Sequence, residues 1–266
     1  MSEATHGYCK LTGSKGKFVK SHIVPKSLTR SEEPGLPLME SRPEGGVKKK
    51  WDSWYDKKLV IRKGEDFLSK IDNSAIAELR KQSLLWSSFE RRLPGLKRVE
   101  GIETHGFRKI IGLDPKPVWL FAASIAWRAS VSTIPEMRWF KLTADEEAHL
   151  QKSILMDKPA YKKFPVSLIQ LSSQGLKHNH TPTLDTKITP DLGQKGGSRE
   201  IQFARIYAEG LIFHLNRTAF PIDELSNNSL FVGCDENLMV TCIDFEASDQ
   251  KDRILEAVGA HLSHTP

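Results

Sequence analysis

Cysteine is scarce in this chain, with only Cys9, Cys234 and Cys242 among 266 residues. An odd, small number in a chain of this length excludes a disulfide framework as its support and points to a reducing, cytoplasmic setting. Long apolar runs are also missing. The longest, Val118 to Trp127, falls far short of the roughly 20 residues that cross a bilayer. No opening stretch joins a basic segment to an apolar one, so neither secretion nor membrane insertion is expected. Internal repeats and heptads are absent, which excludes solenoids and coiled coils. The remaining composition, 39% hydrophobic and 27% charged, is that of an ordinary globular protein with room for one or two domains.

Charge is unevenly placed. Residues 1–110 hold 23 Lys and Arg against 14 Asp and Glu, whereas residues 111–266 hold 16 against 19. The halves therefore carry +9 and −3. A basic half beside a mildly acidic one suits a module facing nucleic acid, because neutralising phosphates is the main sequence-independent source of affinity. A solvated lysine-rich surface is the plainer alternative.

Several elements can be placed from periodicity. Thr29 to Lys50 holds Pro34, Gly35, Pro37, Pro43, Gly45 and Gly46 and reads as a long loop ending in Lys48, Lys49 and Lys50. Phe67, Ile71, Ala75, Ile76 and Leu79 fall at helical spacing, predicting a helix over 66–82. Pro94 to Asp114 has no clean period and reads as a connection. Residues 117–130 are apolar on nearly every side, as in a buried helix with Pro117 in its first turn. Thr143 and Glu146 form a capping-box pattern ahead of a further helix reaching about Asp157. A short strand is expected at Val166 to Ile169, then a mobile loop from Ser172 to Ser198. Residues 200–216 alternate as strands broken at Gly210, and Leu230–Cys234 with Leu238–Phe245 suggest a hairpin. An amphipathic segment from Asp249 to Leu262 closes the chain.

The segment most informative about chemistry runs Cys9-Lys-Leu-Thr-Gly, through Ser21-His22-Ile-Val-Pro-Lys26, to Tyr55-Asp56-Lys-Lys-Leu-Val-Ile-Arg-Lys-Gly-Glu65-Asp66. It resembles bacterial HNH-type proteins, which begin with a Cys-x-x-Cys knuckle, continue to Ser-His-Ile-Ile-Pro and close with Tyr-Asp-x-x-Leu-x-Cys-x-x-Cys. Ile125 to Ser132, with its Trp-Arg-Ala-Ser, is similar to a later stretch of the same family. The resemblance implies a treble-clef or ββα-metal finger in which His22 is general base for an attacking water, a role suited to imidazole near neutral pH. It makes Asp56, Glu65, Asp66 and Asp72 the candidate ligands for magnesium or manganese, with Asn73 a further polar candidate. Lys15, Lys17, Lys20, Lys26, Lys48, Lys49 and Lys50 would bind the backbone of DNA or RNA.

Departures from that pattern matter equally. The four zinc positions fall on Cys9, Thr12, Ile61 and Gly64, and one thiolate cannot hold a tetrahedral structural zinc. Packing by Phe18, Trp51, Trp54 and Tyr55 is expected in its place. The next histidine, His105, lies outside the motif. Carboxylates at a helix start are favoured by capping and the dipole whatever the function. Arg128, on an apolar helix, demands a buried partner, most simply in a structural ion pair. His178 and His180 form a His-x-His pair in the expected loop.

The fold expected is α+β: an HNH-like ββα finger over 1–93, a connection at 94–114, and a helix-plus-antiparallel-sheet domain over 115–266. Two functions follow. One is a nucleic-acid-processing or nucleic-acid-binding protein of a prokaryote or phage; the other is an inactive interaction subunit of an anti-phage defence or counter-defence assembly, meeting a protein partner through its C-terminal domain.

Overall fold

The computed structural model describes residues 5–29, 38–41, 47–50, 53–90, 92–190 and 197–263. The chain opens with β1 (His6–Tyr8) and β2 (Lys15–Lys17), an antiparallel pair. Next come β3 (Ser21–His22), β4 (Leu38–Ser41), β5 (Val47–Lys50), β6 (Tyr55–Asp56) and α1 (Arg62–Lys81). The remainder comprises β7 (Lys97–Val99), β8 (Ile102–Ile111), α2 (Pro115–Val131), α3 (Ala144–Leu155), β9 (Val166–Leu171), β10 (His178–His180), β11 (Thr183–Pro190), β12 (Ser198–Ala208), β13 (Leu211–Asn216), α4 (Ile222–Leu225), β14 (Asn237–Ile243) and α5 (Asp249–Ser263).

Seven strands form the main sheet in the order β11-β12-β13-β9-β14-β8-β7. The sheet is mixed, not antiparallel as expected. After β13 the chain returns to insert β14 between β9 and β8, where it runs parallel to β9 and antiparallel to β8. Alternation along the strands divides the two faces. Ala204, Ile206 and Ala208 of β12 and Leu211, Phe213 and Leu215 of β13 join the large core that contains α2. Tyr207 and Ile212 turn the other way and pack with Trp86, Leu171, Phe245 and Ile254 of α5.

Helix α2 is buried along nearly its whole length, as its composition demanded, and Asp114 caps it by accepting from the Lys116 amide at 3.1 Å. Its core neighbours include Cys9, Leu11, Ile23, Val24 and Trp54. One continuous apolar cluster thus runs from the N-terminal hairpin to the main sheet. The expected division at 94–114 is not mirrored in this packing, because residues 97–99 and 102–111 are strands of the main sheet. The β8 strand alternates exposed and buried positions only in its second half, so a period-2 signal was too short to read.

Other expectations are corrected too. Thr29 to Lys50 is not wholly loop: β4 and β5 pair as a hairpin, and β4 pairs in parallel with β10. Residues 30–37 and 42–46 of that segment lie outside the described residues. Within Ser172 to Ser198, β10 and β11 are strands, and β11 pairs with β12 over its full length. Leu230 to Cys234 forms turns, leaving β14 without the expected hairpin partner. The bend foreseen at Gly210 is the tight β12–β13 turn, with Gly210 at φ +82° and its missing Cβ 2.3 Å from the Trp86 indole. Only glycine tolerates both demands. The capping box is present, with Thr143 Oγ1 accepting from the Glu146 amide at 3.3 Å and Glu146 Oε2 accepting from the Thr143 amide at 2.7 Å.

Candidate nucleic-acid interface

His22 stands on a strand of two residues that pairs with β6, in the register Ser21 to Asp56 and His22 to Tyr55. The imidazole meets the Tyr55 ring edge-on, with centroids 5.9 Å apart. Lys20 Nζ lies 3.9 Å from the centroid of the same ring, a cation–π contact. Behind the strand, the His22 carbonyl accepts from Arg128 Nη1 at 2.9 Å.

That arginine has the partner its burial required. Arg128 is 2% exposed and grips Asp72 through Nη1 to Oδ2 at 3.0 Å and Nη2 to Oδ1 at 2.7 Å. Nε adds a bond to the Ser124 carbonyl at 3.2 Å, and Nη2 one to the Ser124 hydroxyl at 3.0 Å. Both Asp72 oxygens are occupied in a bidentate pair that ties α1 to α2.

Asp56 is committed as well. Its Oδ2 accepts from the Ser132 hydroxyl at 2.9 Å and from the Thr133 amide and hydroxyl at 2.8 and 3.0 Å. Its Oδ1 accepts from the Lys58 amide at 2.7 Å. Burial would raise this carboxyl, but the Thr133 and Lys58 amides and the two hydroxyls together hold it below the usual aspartate value. Glu65 and Asp66 lie within the first turns of α1, which begins at Arg62 rather than residue 66. Glu65 is half-buried with Oε2 lacking a hydrogen-bond partner, whereas Asp66 and Asn73 are exposed. Among the described residues, no three His, Cys, Asp or Glu side chains converge as a metal site would require. Two of the four shortlisted carboxylates, Asp56 and Asp72, are held in bonds that support the fold.

The four positions that the resemblance aligns with zinc ligands do adjoin. Cys9 Sγ accepts from the Thr12 amide at 3.4 Å, and a Cβ built on Gly64 would lie 2.7 Å from that sulfur. Ile61 bridges to Phe18. The turn from Cys9 to Gly13 is held by polar contacts that the sequence did not suggest. Gln151 Nε2 of α3 donates to the carbonyls of Lys10 and Leu11 at 2.9 and 2.8 Å, and Lys10 Nζ reaches the Val131 carbonyl at the end of α2. Of the expected aromatic support, Trp54 is buried, Phe18 covers Gly7, and Trp51 lies outside the described residues.

The outer surface of this region is basic. Lys15, Lys17 and Lys20 are exposed and Lys26 half-buried. The β1–β2 hairpin and the β2–β3 connection run beside residues 59–61, through the Lys10 amide to the Leu59 carbonyl at 2.9 Å and the Val19 amide to the Val60 carbonyl at 3.1 Å. That brings in Lys57, Lys58, Arg62 and Lys63, all exposed. The signal for these four was legible: two basic pairs flank the buried Leu59 and Val60. Tyr8, 69% exposed, stands opposite Lys15 in the hairpin register. No Asp or Glu occurs between Thr5 and Thr29. Lys48, Lys49 and Lys50 lie on β5, paired through the backbone with Glu40, Met39 and Leu38.

No family model, curated protein or solved structure matches the chain.

Proposed function

We propose that the chain binds nucleic acid through its N-terminal region, as a non-cleaving relative of HNH-type fingers from a prokaryote or phage. The observation that carries this reading is the exposed basic surface around the β1–β2 hairpin. Lys15, Lys17, Lys20, Lys57, Lys58, Arg62 and Lys63 are all exposed there, and Tyr8 offers an aromatic platform beside them. Cations that track a backbone, with an aromatic face on which a base can stack, are the chemistry of sequence-tolerant binding to single strands. The geometry favours binding over cleavage because Asp56 and Asp72 spend their oxygens on Ser132, Thr133, Lys58 and Arg128.

Fluorescence anisotropy with labelled single- and double-stranded DNA and RNA over a salt series tests the proposal. Binding should weaken steeply with salt, and Lys15→Gln with Lys17→Gln should lower the slope of log K against log salt by about 1.5. An affinity unaffected by salt, or none, overturns it. Incubation with magnesium or manganese should leave plasmid uncut, and cutting that disappears in His22→Ala would overturn the non-cleaving part.

A further inference from the structure

A second polar site lies on the face of the main sheet turned away from the large core. In one row across the sheet, Thr183 of β11, Arg205 of β12 and His214 of β13 are direct register partners and so share a face. Tyr207, two residues along from Arg205 on that face, stacks on His178 at 4.4 Å between centroids. His178 Nε2 in turn accepts from Gln250 Nε2 of α5 at 2.7 Å. Arg253, one turn further along α5, pairs with Asp185 of β11 at 2.5 Å. The face is thus roofed by α5 and β10.

What distinguishes this region is unspent hydrogen-bonding capacity. Arg205 is 5% exposed, yet its guanidinium makes no hydrogen bond and no ion pair within 4.0 Å among the described residues. Asp185, the nearest strand carboxylate, is taken by Arg253. Thr181 Oγ1, Thr183 Oγ1 and Gln250 Oε1 are buried without a hydrogen-bond partner. The Arg205 nitrogens, unlike those three oxygens, keep slight solvent contact, so a nearly buried cation without a protein acceptor stands open to an anion beside three orphaned groups, and natural interiors rarely gather such groups without a partner.

The three histidines supply no negative charge to pair with it. Nδ1 of His178 lies 2.7 Å from the Leu176 carbonyl and Nδ1 of His180 lies 2.7 Å from that of Thr181. A carbonyl only accepts, so each Nδ1 carries the proton. Burial above all holds His178 down at about 4, and His180 and His214 at about 3, so these rings are neutral at physiological pH. Burial and the Arg253 cation bring Arg205 only to about 10, so it remains charged.

We propose that Arg205, with Arg253 and the hydroxyls of Thr181 and Thr183, binds an oxyanion of the phosphate class, either free phosphate or a terminal phosphomonoester. The planar guanidinium fork matches two phosphate oxygens, and threonine hydroxyls can turn to donate to the others. The proposal is independent of the basic N-terminal surface, which presents exposed lysines rather than a buried arginine.

Equilibrium dialysis with radiolabelled phosphate, on the full chain at constant ionic strength in potassium chloride, tests it. One phosphate per chain should be retained by the natural protein and by Lys109→Gln, an exposed-charge control on β8. Arg205→Met should reduce retention at least tenfold, and Thr183→Val several-fold. Arg205→Met should unfold at or above the natural temperature in phosphate-free chloride, since it removes a buried unpaired charge. Should that variant fail to fold, Thr183→Val decides on its own. Displacement by AMP but not adenosine identifies a phosphomonoester; displacement by unlabelled phosphate but not AMP identifies free phosphate, and both support the site. No retention by the natural protein, or equal retention by the folded Arg205 or Thr183 variant, overturns it.

Discussion

Cys9 Sγ lies 2.7 Å from the point where Gly64 would carry a Cβ, and Val60 Cβ lies 3.0 Å from that same point. The sulfur and the first turn of α1 have closed on one another until no methyl group fits between them. Gly64→Ala gains helix propensity of about 1 kcal/mol but overpacks this contact at about 1–3 kcal/mol. A net loss of stability is expected in urea unfolding. Adding Cys9→Ala removes the clashing atom, so the double variant should be more stable than Gly64→Ala alone. A double variant whose losses simply add would show that the two positions do not press on each other.

Arg128 and Asp72 make a second interdependent pair. Removing one partner leaves the other charge buried, so Asp72→Asn or Arg128→Met should each cost about 3–5 kcal/mol. Replacing both, as Asp72→Leu with Arg128→Met, should cost clearly less than the sum. Because Arg128 also holds the His22 carbonyl, Arg128→Met should disturb the His22 and Tyr55 resonances in NMR spectra. Unchanged spectra at those rings would contradict the coupling drawn from the geometry.

Stability should fall on mild acidification. His178, His180 and His214 are held by burial at about 4, 3 and 3, below the unfolded value of about 6.5. Depressed folded values mean the unfolded chain binds more protons between those limits. The stabilisation is therefore complete above pH ~6.5 and is lost as pH falls toward the folded values, at up to about 4 kcal/mol per pH unit for three groups. Urea unfolding free energies measured from pH 7 to pH 5 check the slope. His180→Gln with His214→Gln should remove about two thirds of it, and an unaltered slope would mean these rings are not the source.

The sequence displayed its helices better than its strands, for physical reasons visible in particular residues. Helix α2 is apolar on all sides and α3 carries a capping box, so both were placed within about two residues. By contrast, β8 is exposed over its first half, β10 is a three-residue strand of His, Asn and His, and β11 carries Thr, Asp and Lys. Polar strands become strands through their partners, remote in sequence for β8 with β14 and β10 with β4 and adjacent for β11 with β12, and propensity does not record those partners. The same holds for the candidate site. Exposed lysines could be read directly, whereas the fate of Asp56 depended on Ser132 and Thr133, 76 and 77 positions away. Arg205 gave no signal at all, because an arginine in an alternating strand looks like an outward-facing residue until α5 and β10 cover it.

Asp56 separates a structural carboxylate from a metal ligand. As a structural group it satisfies the buried Ser132 hydroxyl, the Thr133 hydroxyl and two amides, so Asp56→Ala should cost about 1–3 kcal/mol through donors left unpaired. Asp56→Asn should cost less, since one oxygen still accepts. Its depressed pKa adds a sign: stabilisation from Asp56 is complete above the unfolded aspartate value of about 3.9 and is lost as pH falls through the lower folded value. The contribution is therefore constant near neutrality, and acid unfolding in the Asn variant should be less steep below pH 4. Nucleic-acid affinity at neutral pH should be the same in Asp56→Asn as in the natural chain, and magnesium or manganese should not alter its melting temperature. A metal-induced rise in melting temperature that Asp56→Asn abolishes would instead make Asp56 a ligand and return His22 to the role of a base.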